Sequence, residues 1–282
     1  MKLVRLGDPG AEQWAAARPD GLMADLSAVV DGAAPLTSSS LSAIESALSS
    51  GGLPTIDPTG RRTGPPTPRP GTVVCVGLNY SDHAAETGAQ LPAEPVLFLK
   101  SSRTVVGPHD EVLIPRGSVK TDYEVELAVV IGRTARYLPD AAAGLDAVLG
   151  YAVSHDVSER EYQLERGGQW DKGKSCETFN PLGPWLVTAD EVPDPQALDV
   201  RLWVDGDLRQ DGSTADMVFG VGELVRYISH FMVLEPGDVI NTGTPAGVAL
   251  GQPDPKPFLR AGQVVECEIT GLGRQRQVLG AA

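Results

Sequence analysis

The fold is decided by the segment Asp122-Tyr123-Glu124-Val125-Glu126-Leu127-Ala128-Val129-Val130-Ile131-Gly132. Its apolar, largely β-branched residues end at a glycine, which predicts a buried β-strand. Because side chains alternate between the two faces of a strand, Glu124 and Glu126 share one face, which continues with Ala128 and Val130. Two neighbouring carboxylates in apolar surroundings repel each other, so one must hold a proton unless a cation lies between them. Glu124 and Glu126 are therefore candidate metal ligands.

The composition is that of an acidic globular protein. The chain has 282 residues, 41% of them hydrophobic, which suffices for one large domain and a small one. A net charge of -14 argues against nucleic acid or an anionic membrane surface as a partner. The three cysteines form no CxxC or zinc-like spacing, and no apolar run reaches the ~20 residues that span a bilayer. Together with an amino end unlike a signal peptide, these features predict a cytoplasmic protein.

The chain divides at a proline-rich linker between residues 57 and 71. Residues 1–69 hold a predicted strand at 2–6, a predicted helix at 41–48 and most of the linker, and they form a small N-terminal α+β domain. Residues 70–282 form the larger domain, built mostly from strands with a few helices. Strands and helices do not alternate as in a doubly wound sheet, so the expected fold class is α+β, mostly β. The last strand is predicted at 263–269.

A pair of side chains follows the predicted strand that ends at Leu78. Ser81 or Asn79 can cap a short helix there, and Gly88 to Pro95 is then a loop. His83 and Glu86 are three residues apart, so they share one face of that helix. A short helix between a strand and a loop can move as a lid.

Another strand is predicted to end at Asp156. The sequence Ser158-Glu159-Arg160-Glu161 matches a capping box, which predicts that a helix begins there. Arg160 and Gln163 then lie on one face near the positive end of the helix. Such a corner can hold both a metal and an anionic substrate.

A nucleotide-binding motif occurs between Gly168 and Ser175, where the Walker A pattern is matched letter for letter. A P-loop needs a strand before its first glycine and a helix that starts at the Lys-Ser pair. The preceding residues are predicted to be helical, and Pro181 and Pro184 prevent a long helix afterwards. The interpretation as a P-loop is therefore a remote alternative, although Lys174 itself remains a candidate for chemistry.

Each of these residues also has an ordinary structural explanation. Charged residues on strands usually lie at a solvated edge, and most loop lysines and helix histidines are surface residues. His155 faces away from the Asp156 side of its strand and is interpreted as structural. Only the whole set favours a functional site.

Taken in order along the chain, these candidate residues resemble those of the fumarylacetoacetate hydrolase family. The resemblance covers about residues 70 to 275, a span that corresponds to one large domain. The resemblance is carried by the His-Glu pair, the Tyr-Glu-Val-Glu-Leu segment, the later aspartate, the Lys-Ser pair and Thr242-Gly243-Thr244-Pro245-Ala246-Gly247. It implies a mixed β-roll, a homodimer and bound Mg²⁺, Mn²⁺ or Ca²⁺. The residue assignments that it implies are as follows: metal ligands Glu124, Glu126 and Asp156; catalytic Lys174; and a lid dyad of His83 and Glu86.

The chemistry of the residues agrees with this resemblance. Carboxylates are hard ligands that suit Mg²⁺ or Mn²⁺, and the lack of a His/Cys cluster argues against zinc. Glu86 would orient His83 to take a proton from water, which attacks the distal carbonyl of a 2,4-dioxo acid and leaves a pyruvate enolate. Lys174 and Thr244 would stabilise the developing charge, while Arg160 and Gln163 would hold the substrate carboxylate.

Several activities fit the same set of residues. The first expectation is a hydrolase of acylpyruvates such as fumarylpyruvate or 2,4-diketo-3-deoxy sugar acids, giving pyruvate and a carboxylic acid. Oxaloacetate decarboxylation and isomerisation of 2-hydroxyhepta-2,4-diene-1,7-dioate remain alternatives on the same site. A P-loop nucleotide-binding protein and a non-catalytic metal-binding module are alternatives of other classes.

Overall fold

The computed structural model describes residues 1–88 and 90–282, and of Thr87 it describes the backbone alone. The strands are β1 (Lys2–Leu6), β2 (Gln13–Ala17), β3 (Met23–Asp25), β4 (Thr55–Ile56), β5 (Thr63–Gly64), β6 (Val73–Gly77), β7 (Val96–Lys100), β8 (Val105–Val106), β9 (Val112–Ile114), β10 (Thr121–Asp122), β11 (Val125–Ile131), β12 (Val148–His155), β13 (Ser158–Glu159), β14 (Asn180–Pro181), β15 (Leu186–Thr188), β16 (Asp199–Val204), β17 (Asp207–Ser213), β18 (Val239–Asn241), β19 (Val264–Ile269) and β20 (Gly273–Ala281). The α-helices are α1 (Ser38–Ser50), α2 (Ser81–Thr87), α3 (Ala141–Asp146), α4 (Asp171–Lys174) and α5 (Val221–Ile228). A π-helical turn spans Glu161–Glu165, and 3₁₀ turns span Ser102–Thr104, Ala189–Glu191, Thr214–Asp216 and Ala249–Gly251. The prediction of a mostly β, α+β chain is confirmed.

Strand β11 lies inside a long mixed sheet with the order β4-β3-β2-β1-β15-β12-β11-β18-β6-β7. It pairs antiparallel with β12 and β18, and β18 pairs parallel with β6. The amino end of β11 therefore meets the carboxyl ends of β6, β12 and β18. Side chains that follow those three strands are brought to one place beside Glu124 and Glu126.

The two faces of β11 are both buried, as the sequence predicted. Leu127 and Val129 pack into a core shared with Leu202 and Val265 from a second sheet, which has the order β17-β16-β19-β20-β9. Ala128, on the face that carries Glu126, packs instead with a separate apolar cluster around β6. A strand covered on both sides excludes water from the carboxylates at its start.

The N-terminal strands extend the long sheet rather than forming a sheet of their own. β1 pairs with β15, with Leu3 opposite Leu186, and α1 packs through Ile44 onto a neighbouring apolar cluster. The predicted strand at 2–6 and helix at 41–48 are confirmed as β1 and α1. Within the linker, β5 forms a short pairing with β1, which the prolines did not prevent. A division into domains at residues 69 and 70 stays a prediction.

One predicted helix start is wrong, and so is the predicted side-chain cap of another helix. Ser158 and Glu159 form β13, which pairs with β10, so the helix begins only at Glu161 as a π-helical turn, with the Glu159 carboxylate accepting the Tyr162 N–H. Helix α2 begins where predicted, but no side chain caps it, since Tyr80 stands at the cap position. The tertiary pairing of β13 overrides the local capping signal.

Other differences concern the ends of segments. The segment at 263–269 is not the last strand, because a turn at Gly271 leads into β20, whose Gln275 and Gln277 are buried. The Walker A match after Gly168 contains the short helix α4. The predicted loop from Gly88 to Pro95 is observed at residues 88 and 90–95, while residue 89 lies outside the described part of the chain. None of the helices described is long and apolar enough to cross a bilayer.

Candidate active site

Three carboxylates meet at the start of β11. Glu124 precedes the strand, Glu126 is its second residue, and Asp156 follows β12, the antiparallel neighbour. The three carboxylates each have one oxygen atom within 4.8 Å of an oxygen atom of the other two. Each of the three residues is buried. The sequence-predicted carboxylates therefore form one buried cluster, called here the carboxylate triad.

Two cations predicted from the sequence contact the triad. Lys174, at the end of α4, pairs with Glu124 and lies 2.9 Å from Asp156 Oδ2. Arg160 donates to Glu124 Oε1 at 2.6 Å, to Asp122 Oδ2 at 2.8 Å and to Gln163 Oε1 at 2.9 Å. Burial raises the pKa of Glu124, but the charges of Arg160 and Lys174 outweigh it and hold that pKa well below its usual range. Glu124 is therefore ionised within this network.

Two further charged residues at the site were missed by the sequence analysis. Lys100, the last residue of β7, is buried, pairs with Asp156 Oδ1 and donates to the Val157 carbonyl at 3.0 Å. Asp122 accepts the N–H groups of Ala249 and Leu250 besides the Arg160 guanidinium. The signal for Lys100 was its position two residues after Phe98, on the buried face of an apolar strand.

Glu126 has a different environment from its two neighbours. Its Oε2 accepts the backbone N–H of Gly243 at 2.8 Å, and no described cation forms an ion pair with it. Burial first, and then the charges of Asp156 and Glu124, raise the pKa of Glu126 well above its usual value. Glycine is required at 243 because its φ is +98° and a Cβ would lie 2.9 Å from the Asn79 side chain.

The donor set of the triad fits a hard divalent cation. Asp122 and the triad supply four buried carboxylates, whereas the cations among the described residues that contact them are Lys100, Arg160 and Lys174, which leaves one negative charge in excess within that part of the chain. Burial, and after it the charges of Asp156 and Glu124, raise the pKa of Glu126, and a cation between these carboxylates would oppose that rise. Oxygen-only ligands are those that Mg²⁺, Mn²⁺ and Ca²⁺ prefer in proteins.

Helix α2 carries the predicted dyad. His83 Nδ1 lies 3.5 Å from Glu86 Oε2, and Glu86 in turn accepts the Gly247 N–H at 3.0 Å and the Gln252 side-chain amide at 3.0 Å. Asp82 accepts the Ala246 N–H at 3.1 Å. Helix α2 is thus docked on the segment after β18, and this contact places the Glu86 carboxylate beside one nitrogen of the histidine ring.

A cavity of about 290 Å³ joins the dyad to the carboxylates. Its lining contains seven of the predicted site residues: His83, Glu124, Glu126, Arg160, Gln163, Lys174 and Thr244. Glu86 and Asp156 lie behind this lining, in contact with His83 and Lys174 respectively. All nine predicted residues are therefore brought together by the fold.

Thr244 and Arg160 are more constrained than the sequence suggested. The Thr244 hydroxyl donates to the Val125 carbonyl at 2.9 Å and accepts from the Gln210 amide at 2.8 Å. Its proton is thereby directed at the protein backbone. Arg160 is shared between two carboxylates, so its main observed effect is to fix Glu124.

The P-loop alternative is not supported by the local structure. A π-helical turn precedes Gly168, and α4 ends at Lys174, whereas a P-loop begins after a strand and opens a helix at the lysine. The Lys174 ammonium contacts carboxylates, an environment that would repel a phosphate.

His155, interpreted as structural, is buried with Nδ1 3.0 Å from Gln277 Oε1, and burial lowers its pKa to about 4.

The fold and the site define an enzyme of the β-roll class, with a carboxylate triad and an adjoining dyad in one small cavity. The sequence model of the fumarylacetoacetate (FAA) hydrolase C-terminal domain matches residues 72–279, and the chain belongs to the fumarylacetoacetate hydrolase family. The expected family fold is confirmed by this match and by the solved relatives.

The chain is similar over its whole length to several proteins of this family. A Burkholderia multivorans protein that carries the provisional name hydrolase is 52% identical over 283 residues, with 100% of both chains covered. The structure of maleylpyruvate hydrolase from a Sphingobium species has a TM-score of 0.79 and 30% identity, again covering 100% of both chains. That of 2-hydroxyhepta-2,4-diene-1,7-dioate isomerase from Mycobacterium marinum has a TM-score of 0.77 and 31% identity, covering 100% of this chain and 98% of the other.

Proposed function

We propose that this enzyme is a divalent-metal-dependent hydrolase that cleaves the C–C bond of 2,4-dioxo acids, giving pyruvate and a carboxylic acid. The observation that carries the proposal is the cavity of about 290 Å³ that is lined both by His83 of the dyad and by Glu124 and Glu126 of the carboxylate triad. A base beside a hard-cation site is what water attack on a chelating dicarbonyl requires. The similarity to maleylpyruvate hydrolase supports the same reaction class.

Glu124, Glu126 and Asp156 would hold the metal, for which Mg²⁺ or Mn²⁺ is proposed and Ca²⁺ fits the same ligands. When bound, such an ion polarises a carbonyl group and stabilises negative charge on its oxygen. Lys100 and Arg160 orient Asp156 and Glu124 through ion pairs. Orienting contacts of this kind hold ligand oxygens in place before the ion arrives.

His83 is proposed as the general base. Glu86 lies 3.5 Å from Nδ1, so Nε2 is assigned as the atom that takes a proton from water. The resulting hydroxide attacks the distal carbonyl carbon of the substrate, and the bond between that carbon and C3 breaks. The carboxylic acid leaves, the bond electrons pass to a pyruvate enolate, and the histidine returns its proton to C3.

Lys174 is proposed to stabilise the enolate. Burial lowers the pKa of its ammonium group, but Asp156 and Glu124 outweigh this and raise that pKa above its usual value, so the group is charged. A charged donor in a water-poor cavity stabilises developing negative charge strongly. Gln163, which lines the cavity beside Arg160, is proposed to contact the substrate carboxylate.

A panel of substrates tests the proposal. The protein is incubated with Mg²⁺ or Mn²⁺ and either acylpyruvates or oxaloacetate, and pyruvate and CO₂ are measured. Pyruvate from acylpyruvates without CO₂ supports hydrolysis, whereas CO₂ from oxaloacetate alone contradicts it. The similarity to the Mycobacterium marinum isomerase makes a dienedioate isomerase the second candidate, which a shift of the diene absorbance without pyruvate would identify.

The assembly and location are also proposals. We propose a homodimer in the cytoplasm, as expected from the family and the composition. A molar mass near twice 29.7 kDa by light scattering would support the dimer.

A further inference from the structure

The cavity is lined by two unlike sets of side chains. One set is the carboxylates with their cations, called here the polar half, and the other is a set of six apolar residues, called here the apolar wall. The wall consists of Val76, Leu78, Phe98, Leu164, Trp170 and Leu250. Small-molecule sites commonly combine a few polar anchors with an apolar lining that fits the rest of the ligand.

Trp170 is fixed in this wall by its neighbours. Its ring packs edge to face on Phe98, with the ring centroids 5.5 Å apart. It also lies against Gly77 at the end of β6, where a Cβ would come 2.6 Å from the indole. Phe98 in turn lies below the Lys174 ammonium, 5.0 Å from its ring centroid. The apolar wall therefore begins directly beside the polar half.

The cations that line the cavity are already engaged by carboxylates. Arg160 is shared between Asp122 and Glu124, and Lys174 between Glu124 and Asp156. His83, if protonated, would face Glu86. A second carboxylate on the substrate, placed against the apolar wall, would meet no charged side chain of that wall, while Arg160 and Lys174 are held by the carboxylates of the polar half. Burial of a charge without a partner is strongly unfavourable.

We infer that the substrate carries its charge at one end only and ends in an uncharged, apolar acyl group that packs on Trp170, Phe98 and Leu250. This inference rests on the proposed function, because the polar half is taken to hold the dioxo-acid end. The inference distinguishes this enzyme from one whose substrates carry a carboxylate at both ends. The cavity of about 290 Å³ limits the acyl group to a short one, since ligand sites usually measure about 300–1,000 Å³.

A matched pair of substrates tests the inference. Butanoylpyruvate and succinylpyruvate have acyl chains of similar length, but the first ends in a methyl group and the second in a carboxylate. With acetylpyruvate as the reference, kcat/KM is expected to rise roughly tenfold or more for butanoylpyruvate, since one methylene in an apolar pocket is worth about 10- to 200-fold. Succinylpyruvate is expected to be at least about tenfold poorer than butanoylpyruvate. Succinylpyruvate as the equal or better substrate would overturn the inference.

The variant Trp170→Leu tests where the acyl group lies. The ratio of kcat/KM for butanoylpyruvate to that for acetylpyruvate is expected to fall in this variant and to stay unchanged in Trp203→Leu, a residue on the second sheet that stacks with Arg274. An unchanged ratio in Trp170→Leu would overturn the placement. Cleavage of none of the three acylpyruvates would instead refute the proposed function itself.

Lys256 is the residue that would bind a second substrate carboxylate if the inference is wrong, so its replacement is part of the test. It lies beyond Leu250, and its ammonium donates to the carbonyl oxygens of Leu250 and Gln252. If succinylpyruvate is the better substrate and Lys256→Met abolishes that preference, the acyl group extends towards Lys256 and the inference is wrong. If Lys256→Met leaves the preference for butanoylpyruvate intact, the apolar wall is supported.

Discussion

The ammonium nitrogen of Lys174 lies 2.9 Å from Asp156 Oδ2, and both side chains are buried. The two residues are brought together because α4 packs beside β7 and β13, and β13 follows Asp156 in the chain. A cation is thereby placed next to oxygens that are also candidate metal ligands. This arrangement lets the protein itself stabilise an anion that forms on the substrate.

Replacement of Lys174 by methionine removes that charge while keeping most of the side-chain volume. We expect kcat to fall about 10²–10³-fold, the cost of removing one preorganised donor to a developing oxyanion. Steady-state kinetics with acetylpyruvate measures the effect. The matched control is Lys172→Met in the same helix, because Lys172 is exposed and donates only to the Arg166 carbonyl among its described contacts. Equal losses in both variants would contradict a specific role for Lys174.

Replacement of His83 by glutamine tests the general base. We expect kcat to fall about 10²–10⁴-fold with a small change in KM, because the amide cannot take a proton from water. Glu86→Gln should give a smaller loss, since it leaves the histidine in place and removes its orienting charge. His109→Gln is the control, as His109 is exposed. Activity within a few-fold of wild type in His83→Gln would show that another group activates the water.

Replacement of Glu126 by glutamine tests the metal site. The new side-chain amide keeps an oxygen that can accept the Gly243 N–H, but the charge that no described cation neutralises is lost. We expect the affinity for Mn²⁺, measured by titration calorimetry, to fall by more than about tenfold, since even outer contacts of a metal site are worth about 10–100-fold. The exposed Glu177→Gln serves as the control. Unchanged Mn²⁺ affinity would place the ion elsewhere.

Replacement of Lys100 by methionine tests its structural contribution. The change leaves Asp156 with one cation instead of two inside the protein, so we expect the free energy of unfolding to fall by about 3–5 kcal/mol. Urea denaturation without added metal measures this. The double variant Lys100→Met/Asp156→Asn should recover part of the loss, because it removes the uncompensated charge. A double variant less stable than Lys100→Met would contradict the account.

The alternation of side chains in residues 122–132 was enough to find the centre of the site. Glu124 and Glu126 stand out because the strand that follows is apolar on both faces, and a carboxylate there needs a partner. Asp156 could be added because it ends a second apolar strand, and such ends converge in a sheet. The roles of Lys174, His83 and Glu86 came from the family resemblance, and their proximity is a result of the structure.

Other parts could not be predicted because they depend on contacts distant in sequence. Lys100 meets Asp156 across 56 positions, and a lysine at the end of a strand is usually exposed. Ser158 is drawn into β13 by Asp122, which overrides its local preference to start a helix. Strand β20 was missed because its polar residues Gln275 and Gln277 point inward to hydrogen-bond with each other.

The fate of water oxygen tests the central claim most directly. The protein with Mn²⁺ is incubated with acetylpyruvate in water enriched in ¹⁸O, and the acetate is analysed by mass spectrometry. Hydrolysis at this site predicts one ¹⁸O atom in each acetate released, formation of pyruvate in equal amount and loss of both in His83→Gln. Acetylpyruvate that is left uncleaved, or acetate without ¹⁸O, would contradict the account.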